Sequence, residues 1–187
     1  MRVPLEQRFP SPSVMGIVNV TPDSFSDGGV NFRAEDAVAA ARRMVGDGAA
    51  IVDVGGESTR PGSAGVSLDE ELRRVVPVLE DLAGLPISID TAKAEVARRA
   101  LELGAEMVND VTALRADPGL VEVAAEADAY VCLMHMRGEP ATMQVSPAYA
   151  DIVGEVRDFL RARVGACVGA GIAQARIAID PGFGFGK

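Results

Sequence analysis

Six short apolar segments of this chain each end on a polar residue, and this pattern limits the folds that the chain can adopt. The polar residues at their ends are Asn19, Asp53, Asp90, Asn109, His135 and Asp180. Parallel strands buried on both faces have continuous runs of Val, Ile and Leu. In a (β/α)8 barrel the carboxyl ends of all the strands open onto one rim, where the functional groups lie. The pattern therefore predicts a barrel whose strand ends form one site.

Helical segments alternate with these strands. The strands are predicted at residues 14–20, 50–54, 87–90, 106–109, 130–135 and 176–180. The helices are predicted at residues 34–47, 67–82, 93–103, 118–126 and 148–170, where apolar residues recur at helical spacing. Ser67 and Glu70 form a capping box at the start of the second predicted helix. Alternation of this kind is typical of an α/β fold with a parallel sheet.

An open, doubly wound sheet also fits the alternation of strands and helices. Such a sheet gathers its ligand-binding residues at one switch point, whereas here they follow nearly every strand. This difference favours the TIM barrel. A barrel of this class has about 250 residues and eight strands, and the 187 residues here supply six. We therefore expect a single barrel domain over residues 1–187 that holds about six of eight βα units and is incomplete at its carboxyl terminus.

The composition excludes several classes of function. A formal net charge of −9 without a basic cluster argues against a nucleic-acid or anionic-membrane surface. Cys132 and Cys167 lack the spacing of metal ligands, which favours buried thiols over a redox role. The chain has no signal-like apolar region near its amino terminus and no run of 18 apolar residues, so we expect a cytoplasmic protein.

Two loops near the amino terminus are rich in polar and turn-forming residues. The first, MGIVNVTPDSFSDGG at residues 15–29, has two interpretations: a functional loop, or a set of caps for turns and a helix. The second, GGESTRPG at residues 55–62, holds Thr59 and Arg60 between two glycines and Pro61. Because a guanidinium offers a bidentate fork, an arginine on such a turn suits a phosphate or a carboxylate.

Three polar side chains at strand ends are candidates for one ligand. Asp90 alone could be the cap of the helix that follows it. Together, however, Asp90, Asn109 and Asp180 supply acceptors and an amide for a ligand rich in ring N–H donors.

The last segment, DPGFGFGK at residues 180–187, resembles a nucleotide-binding loop only superficially. A phosphate-binding loop needs glycine where Pro181 stands, and the dinucleotide motif needs a different glycine spacing. We expect this segment instead to place Phe183 and Phe185 against a planar ligand.

The chain has one histidine, His135. It could be a general base or a hydrogen-bonded supporting residue, and its place after an apolar strand favours the second. A single histidine also argues against a zinc site.

In their order and spacing, the segments NVTPDSFSDGG, GGESTRPG, SIDT, NDV, LMHMRG, EPATMQ and DPGFGFGK resemble the dihydropteroate synthase family over nearly the whole chain from residue 14 onwards. The resemblance implies condensation of 7,8-dihydropterin-6-ylmethyl diphosphate with p-aminobenzoate, which yields 7,8-dihydropteroate and diphosphate for folate synthesis. It implies that sulfonamides compete with p-aminobenzoate.

The resemblance also implies roles for individual residues. Catalytic roles fall to Asp23, Asp27 and Arg60. Pterin-binding roles fall to Asp90, Asn109, Asp180, Met134 and Gly184. Roles in p-aminobenzoate binding and loop closure fall to Phe25, Thr59, Arg60, Pro61 and Phe185. Asn19 matches the family residue near Mg²⁺, the expected cofactor, which commonly keeps few protein ligands while it bridges phosphate oxygens.

The resemblance further implies small-molecule substrates and a homodimer, and from the net charge we expect no nucleic-acid or membrane partner. The family's lysine and its arginine–histidine pair from strands seven and eight have no counterpart in residues 1–187. One alternative is therefore a truncated, non-catalytic paralogue that binds pterin or acts as a partner subunit. A pterin-binding methyltransferase is another, and it would require a corrinoid partner and indifference to p-aminobenzoate.

Overall fold

The computed structural model describes residues 2–10, 12–21, 34–58, 65–138, 143–144 and 146–187. Within these residues the strands are β1 (Met15–Asn19), β2 (Ile51–Gly55), β3 (Ile87–Asp90), β4 (Met107–Asp110), β5 (Tyr130–Met134) and β6 (Ile177–Asp180). The α-helices are α1 (Leu5–Arg8), α2 (Ala34–Gly46), α3 (Leu68–Asp81), α4 (Ala94–Glu102), α5 (Gly119–Glu126) and α6 (Ile152–Gly169). A short 3₁₀ helix, Gln174–Arg176, precedes β6.

The strands form one parallel sheet in the order β1-β2-β3-β4-β5-β6 within the described residues. The predicted α/β alternation is therefore confirmed. A doubly wound sheet reverses its strand order at a switch point, and no such reversal occurs in the part of the chain that the structure describes. Because βαβ crossovers are right-handed, a sequential order places the connecting helices on one side of the sheet, as in a barrel.

The main core lies between the sheet and this helix layer. Alternate strand residues such as Val52, Val54 and Ile89 point outwards and are fully buried against apolar residues of the helices. Successive helices from α2 to α5 also pack against one another. The residues between them in each strand point to the opposite, inner face of the sheet.

The amino-terminal segment packs across the inner face at the base of the sheet, which the sequence did not predict. Phe9 meets Tyr130 edge to face with ring centroids 5.7 Å apart, and the Tyr130 hydroxyl donates to the Val3 carbonyl at 2.8 Å. Arg8 donates to both oxygens of Glu106, at 2.9 and 2.5 Å. These contacts close the end of the sheet opposite to the predicted site.

Two helix starts show how local sequence sets the boundaries. Ser67 Oγ accepts from the Glu70 N–H at 3.3 Å, which confirms the predicted cap of α3. The last predicted helix was expected from residue 148, but Asp151 caps the Gly154 N–H at 3.1 Å and α6 begins at Ile152. In the described part of the chain, no helix combines the length and the apolar character needed to cross a membrane.

Candidate functional site

One register row of the sheet brings together three of the predicted site residues. Asn19 of β1 pairs with Gly55 of β2, which pairs with Asp90 of β3 and then with Asn109 of β4. The row continues through Cys132 of β5. Residues of one row share a face of the sheet, and these lie on its inner face. The expectation that Asn19, Asp90 and Asn109 converge is thus met.

Met134 and Asp180 form the next row towards the carboxyl ends, where they pair directly across β5 and β6. Asp53 lies two residues before Gly55 on β2, in register with Ser88. It therefore belongs to the adjacent inner-face row, one row below that of Asn109 in the direction of the amino ends of the strands. The sequence placed Asp53 at a strand end, and that prediction is wrong because β2 continues to Gly55. The inner face therefore carries acidic groups at three levels.

Gly55 keeps the upper row open. A Cβ at this position would lie 3.4 Å from Asp90 Oδ2 and 3.5 Å from Asn19 Oδ1. A larger side chain would extend between these two oxygens, so the glycine leaves space for a small group between Asn19 and Asp90.

Asn109 is fixed by a contact with a strand that is not its neighbour. Its Nδ2 donates to Asp53 Oδ2 at 2.8 Å, across the inner face of β3. An ionised carboxylate can only accept hydrogen bonds, so this contact sets which end of the amide faces Asp53.

Burial and mutual repulsion perturb the acidic groups of this face. Burial raises the pKa of Asp90 well above its usual value, and the charges of Asp53, Asp110 and Glu71 raise it further. Burial also raises the pKa of Asp53, against the opposing effect of Ser88 and Asn109. A ligand that donates N–H groups to these carboxylates would relieve the crowding of negative charge.

Cys132 lies in the same row, half-buried, and the pKa of its thiol is raised to about 12 by burial and by Asp180, Asp53 and Asp90. A thiol of this pKa stays protonated at neutral pH. Cys167 is fully buried. The prediction of inert buried thiols therefore holds for Cys167, while Cys132 faces the site interior.

The glycine-rich segment after β6 folds back over the end of β5. Asp180 Oδ1 accepts from the Gly182 N–H at 2.7 Å, and the His135 N–H donates to the Asp180 carbonyl at 2.9 Å. Lys187 Nζ donates to the carbonyls of His135, Gly182 and Phe185 at 2.7–3.2 Å. The lysine thus holds the segment from His135 to Phe185 together through three backbone carbonyls.

Gly182 is required by this close approach. Its φ is +67°, and a Cβ at this position would lie 2.2 Å from the His135 carbonyl oxygen. No other residue fits this conformation and spacing without displacing the loop.

Met134 belongs to a small apolar cluster with Val111, Met136 and Met143, and Phe185 packs against it. The Gly184 carbonyl accepts from the Gln144 side-chain amide. Phe183 differs from the expectation, because its side chain is 87% exposed and lies on the outer side, beside α6. Of the two phenylalanines, only Phe185 packs beside the buried methionines.

His135 is buried beside aromatic rings. Its ring meets Phe159 edge to face at 4.9 Å, and burial lowers its pKa, as do the charges of Lys187, Arg115 and Arg137. Its Nδ1 has no hydrogen-bond partner within the described residues. The described residues thus show no bond at Nδ1 that would support the expected hydrogen-bonded role, and the ring packs against Phe159.

A buried charge cluster that the sequence analysis missed joins β3, α3 and the start of the loop after β2. Lys93 Nζ contacts Glu71 Oε2 at 2.5 Å and also the carboxylate of Glu57. Thr91 Oγ1 donates to Glu71 Oε1 at 2.7 Å. The sequence did contain one indication of this cluster. Glu71 lies on the buried, apolar face of α3, one turn before Val75.

A cavity of about 1070 Å³ opens beside the site, above the ends of β3, β4 and β5. Asp90, Thr91 and His135 line it. On the inner face Ile17, in register with Asp53, is 60% exposed. Asp90 thus borders both the inner face and the adjoining cavity.

Six predicted site residues lie outside the described residues: Asp23, Phe25, Asp27, Thr59, Arg60 and Pro61. Among the described residues, no group of three or more His, Cys, Asp or Glu side chains is arranged to hold a metal ion.

The family model for the pterin binding enzymes matches residues 15–187. The chain belongs to this family. The match spans all six strands and every described residue of the inner face discussed above.

Individual members of the pterin binding enzyme family are closely similar to this chain. Dihydropteroate synthase of Escherichia coli (strain K12) is 52% identical over 179 residues, which cover 94% of this chain and 63% of the relative. Yersinia pestis dihydropteroate synthase, solved with a sulfonamide drug complex, superposes with a TM-score of 0.88 at 50% sequence identity. This match covers 94% of this chain and 65% of the Yersinia pestis chain.

Burkholderia cenocepacia dihydropteroate synthase, complexed with 7,8-dihydropteroate, gives a TM-score of 0.82 at 49% identity, over 96% of this chain and 61% of its own. The six strands and the helices that connect them are therefore part of a TIM barrel, as predicted. The chain spans slightly less than two thirds of the length of these relatives.

Proposed function

We propose that the protein acts as a dihydropteroate synthase, which joins 7,8-dihydropterin-6-ylmethyl diphosphate to p-aminobenzoate and releases diphosphate. The observation that carries this proposal is the register row with Asn19, Asp90 and Asn109, next to Asp180. Together these four residues supply two amides and two carboxylates on one face. Relatives that are about half identical to this chain over the matched residues bear this name, and one is complexed with 7,8-dihydropteroate.

The pterin ring would bind with its N–H edge towards Asp90, Asn109 and Asp180. Asp180 is already oriented, since its Oδ1 accepts from Gly182. Met134 lies in the apolar cluster beside the row and would contact the ring face, with Gly184 and Phe185 at the border of the pocket. This arrangement combines charged acceptors for the ring edge with apolar contacts for its faces.

The residues present are compatible with Mg²⁺ bound through the diphosphate. Asn19 Oδ1 lies at the mouth of the inner face near Asp90 Oδ2, on either side of the space above Gly55. Mg²⁺ typically takes one or two protein oxygens and completes its shell with phosphate and water. When bound, the ion would neutralise charge on the departing diphosphate, with Asn19 as its protein ligand.

The proposed reaction breaks the bond between the methylene carbon and the diphosphate oxygen, and the bonding electrons leave with diphosphate. The carboxylates of the inner face stabilise the resulting pterin methylene cation. The neutral arylamine then attacks the methylene carbon, forms the C–N bond and loses a proton. We expect Asp23, Phe25 and Asp27 of the first loop, and Thr59, Arg60 and Pro61 of the second, to close over this reaction and exclude water.

A synthase assay on the natural protein tests the proposal. Dihydropterin diphosphate and p-aminobenzoate are supplied with Mg²⁺, and dihydropteroate is measured by chromatography. We expect product formation that a sulfonamide inhibits in competition with p-aminobenzoate. Pterin binding without any product would overturn the proposed activity and would favour a non-catalytic pterin-binding protein.

Two matched variants make the assay specific to the site. Asp90→Asn removes a charged acceptor from the ring edge, and we expect kcat/KM for the pterin substrate to fall about 10- to 100-fold. Asp128→Asn makes the same chemical change at the base of the sheet, where Asp128 pairs with Arg176, and it should leave KM unchanged. Equal effects of both variants would contradict the assignment of Asp90.

The loop assignments are tested separately with Asp27→Ala. If this variant turned over both substrates as fast as the unaltered protein, the role proposed for the first loop would be wrong. We also expect a cytoplasmic homodimer, which fractionation and light scattering would test.

A further inference from the structure

We propose that Asp53 is a positioning residue for pterin recognition: it holds Asn109 with Nδ2 towards β2, so that Oδ1 faces the bound ring as an acceptor. This inference rests on the proposed function, because it concerns the specificity of the same site.

The position of Asp53 suits this role. It lies in the middle of β2, one row below Asn109, and only 4% of its surface is exposed. The bond from Asn109 Nδ2 to Asp53 Oδ2 is 2.8 Å long and spans the inner face of β3. Asp53 therefore lies beneath the ring site and acts on the ligand through Asn109.

The chemistry of the two groups fixes one orientation of the amide. A carboxamide has a donor end and an acceptor end, which exchange places on rotation about its last side-chain bond. With Nδ2 towards Asp53, the amide donates to a carboxylate. With Oδ1 towards Asp53, two acceptors would meet in a buried place. The carboxylate thus selects the orientation in which the acceptor end points away from β2.

This selection determines which ring edge can bind. Asp90, the register partner of Asn109, also presents an acceptor when ionised. Two neighbouring acceptors match a ligand edge with two N–H donors and disfavour an edge with an acceptor at the same place. An amide free to rotate would accept both edges, so Asp53 contributes discrimination as well as affinity.

The Asp53 carboxylate is not saturated by this one contact. Asp53 Oδ1 and Ser88 Oγ are both buried, and within the described residues neither makes a hydrogen bond of ordinary geometry. A buried acceptor group is expensive to maintain without full satisfaction. An incompletely hydrogen-bonded carboxylate at this buried position is explained if Asp53 orients the side-chain amide of Asn109.

The first test measures pterin binding by calorimetry with 6-hydroxymethyl-7,8-dihydropterin diphosphate. In Asp53→Asn, residue 53 offers both a donor and an acceptor, so Asn109 can adopt either orientation. We expect Kd to rise about 10- to 100-fold, which corresponds to the loss of one hydrogen bond to a charged or mispaired buried group.

The double variant Asp53→Asn with Asn109→Asp exchanges the two groups. Asn at position 53 then donates to Asp at position 109, whose second oxygen takes the place of the original acceptor. The net charge of the site is unchanged. We expect the exchange to recover Kd to within about fivefold of the unaltered protein, which a merely structural role for Asp53 would not produce.

Glu106→Gln is the matched control. Glu106 precedes the same strand as Asn109 but pairs with Arg8 at the base of the sheet. We expect this change to lower the melting temperature without changing Kd. Unaltered pterin affinity in Asp53→Asn, or an exchange variant no better than Asp53→Asn, would overturn the inference.

A measurement on the unaltered protein covers the case in which Asp53→Asn does not fold. The Asn109 side-chain amide protons, followed by NMR, should exchange slowly with solvent both with and without pterin, because Asp53 holds them. Fast exchange in the free protein would overturn the inference. Failure of the unaltered protein to bind pterin would instead refute the proposed function, and the exchange measurement on the free protein would still test Asp53.

Discussion

Replacing Lys93 by Met should destabilise the fold strongly, because it leaves a buried glutamate without its cation. Lys93 Nζ lies 2.5 Å from Glu71 Oε2, and the Glu71 side chain is 1% exposed. Removing one partner of a buried pair typically costs 3–5 kcal/mol. Since the Lys93 side chain is 28% exposed and water can reach its place, we expect the lower end, about 3 kcal/mol.

The assay is denaturant unfolding followed by far-ultraviolet circular dichroism, because the chain has no tryptophan to serve as a fluorescent probe. A loss of about 3 kcal/mol corresponds to a fall in Tm of about 6–12 °C for a chain of this size. Adding Glu71→Gln to Lys93→Met removes the uncompensated charge while the bond from Thr91 can remain, so at least half of the loss should be recovered.

The control is Arg98→Met, which breaks exposed ion pairs with Glu95 and Glu126 at 3.5 and 3.8 Å. Exposed pairs of this kind contribute little, and we expect a loss below about 0.5 kcal/mol. The reasoning is refuted if Lys93→Met costs no more than Arg98→Met, or if Glu71→Gln recovers nothing.

The ionisation of Lys93 and Cys132 and the backbone conformation of Gly182 each have measurable effects. Burial lowers the pKa of Lys93, but hydrogen bonds to its two carboxylates outweigh burial and raise the pKa above its usual value. The stabilisation by protonated Lys93 is thus complete below about pH 10 and is lost as pH rises through the raised pKa. The difference in unfolding free energy between the unaltered protein and Lys93→Met should therefore become smaller when urea unfolding is measured at increasingly alkaline pH. Because the pKa of the Cys132 thiol is about 12, iodoacetamide at pH 8.5 should label this thiol about a thousandfold more slowly in the native than in the unfolded protein. Peptide mapping, which separates Cys132 from Cys167, measures the two labelling rates. Equal rates in the native and unfolded protein would contradict the raised pKa. Gly182→Ala should cost at least about 3 kcal/mol in the same unfolding assay, because its Cβ would lie 2.2 Å from the His135 carbonyl oxygen at a φ of +67°; a loss below 1 kcal/mol would show that the loop shifts readily.

Much of the fold could be predicted because its signals are local. Each buried strand is a short apolar run that stops near a polar residue. Asp90 and Asp180 could therefore be placed at the last residues of their strands, whereas β4 continues one residue beyond Asn109, to Asp110. Parallel pairing then carries these residues to the same edge. The convergence of the site on one face therefore follows from periodicity alone.

The parts that could not be predicted depend on contacts between distant segments. Asp53 appeared to end its strand, because the two glycines after Val54 read as a loop, yet Gly55 still pairs within the sheet. Glu71 of α3 pairs with Lys93, the residue before α4. The sequence around either residue does not indicate which residue is its partner. Whether a buried carboxylate is paired, and with which group, is decided only by tertiary packing.

The contacts at the base of the sheet have a consequence for how this chain is made. Arg2 donates through its backbone N–H to Asp128, and Arg8 pairs with Glu106, so these two residues contact partners 126 and 98 positions later in the chain. At translation rates of about 5–20 residues per second, the amino-terminal segment waits roughly 5–25 s for these partners to leave the ribosome. During that interval Leu5 and Phe9 have no sheet to cover. This segment is thus synthesised well before the residues that hold it in its final place.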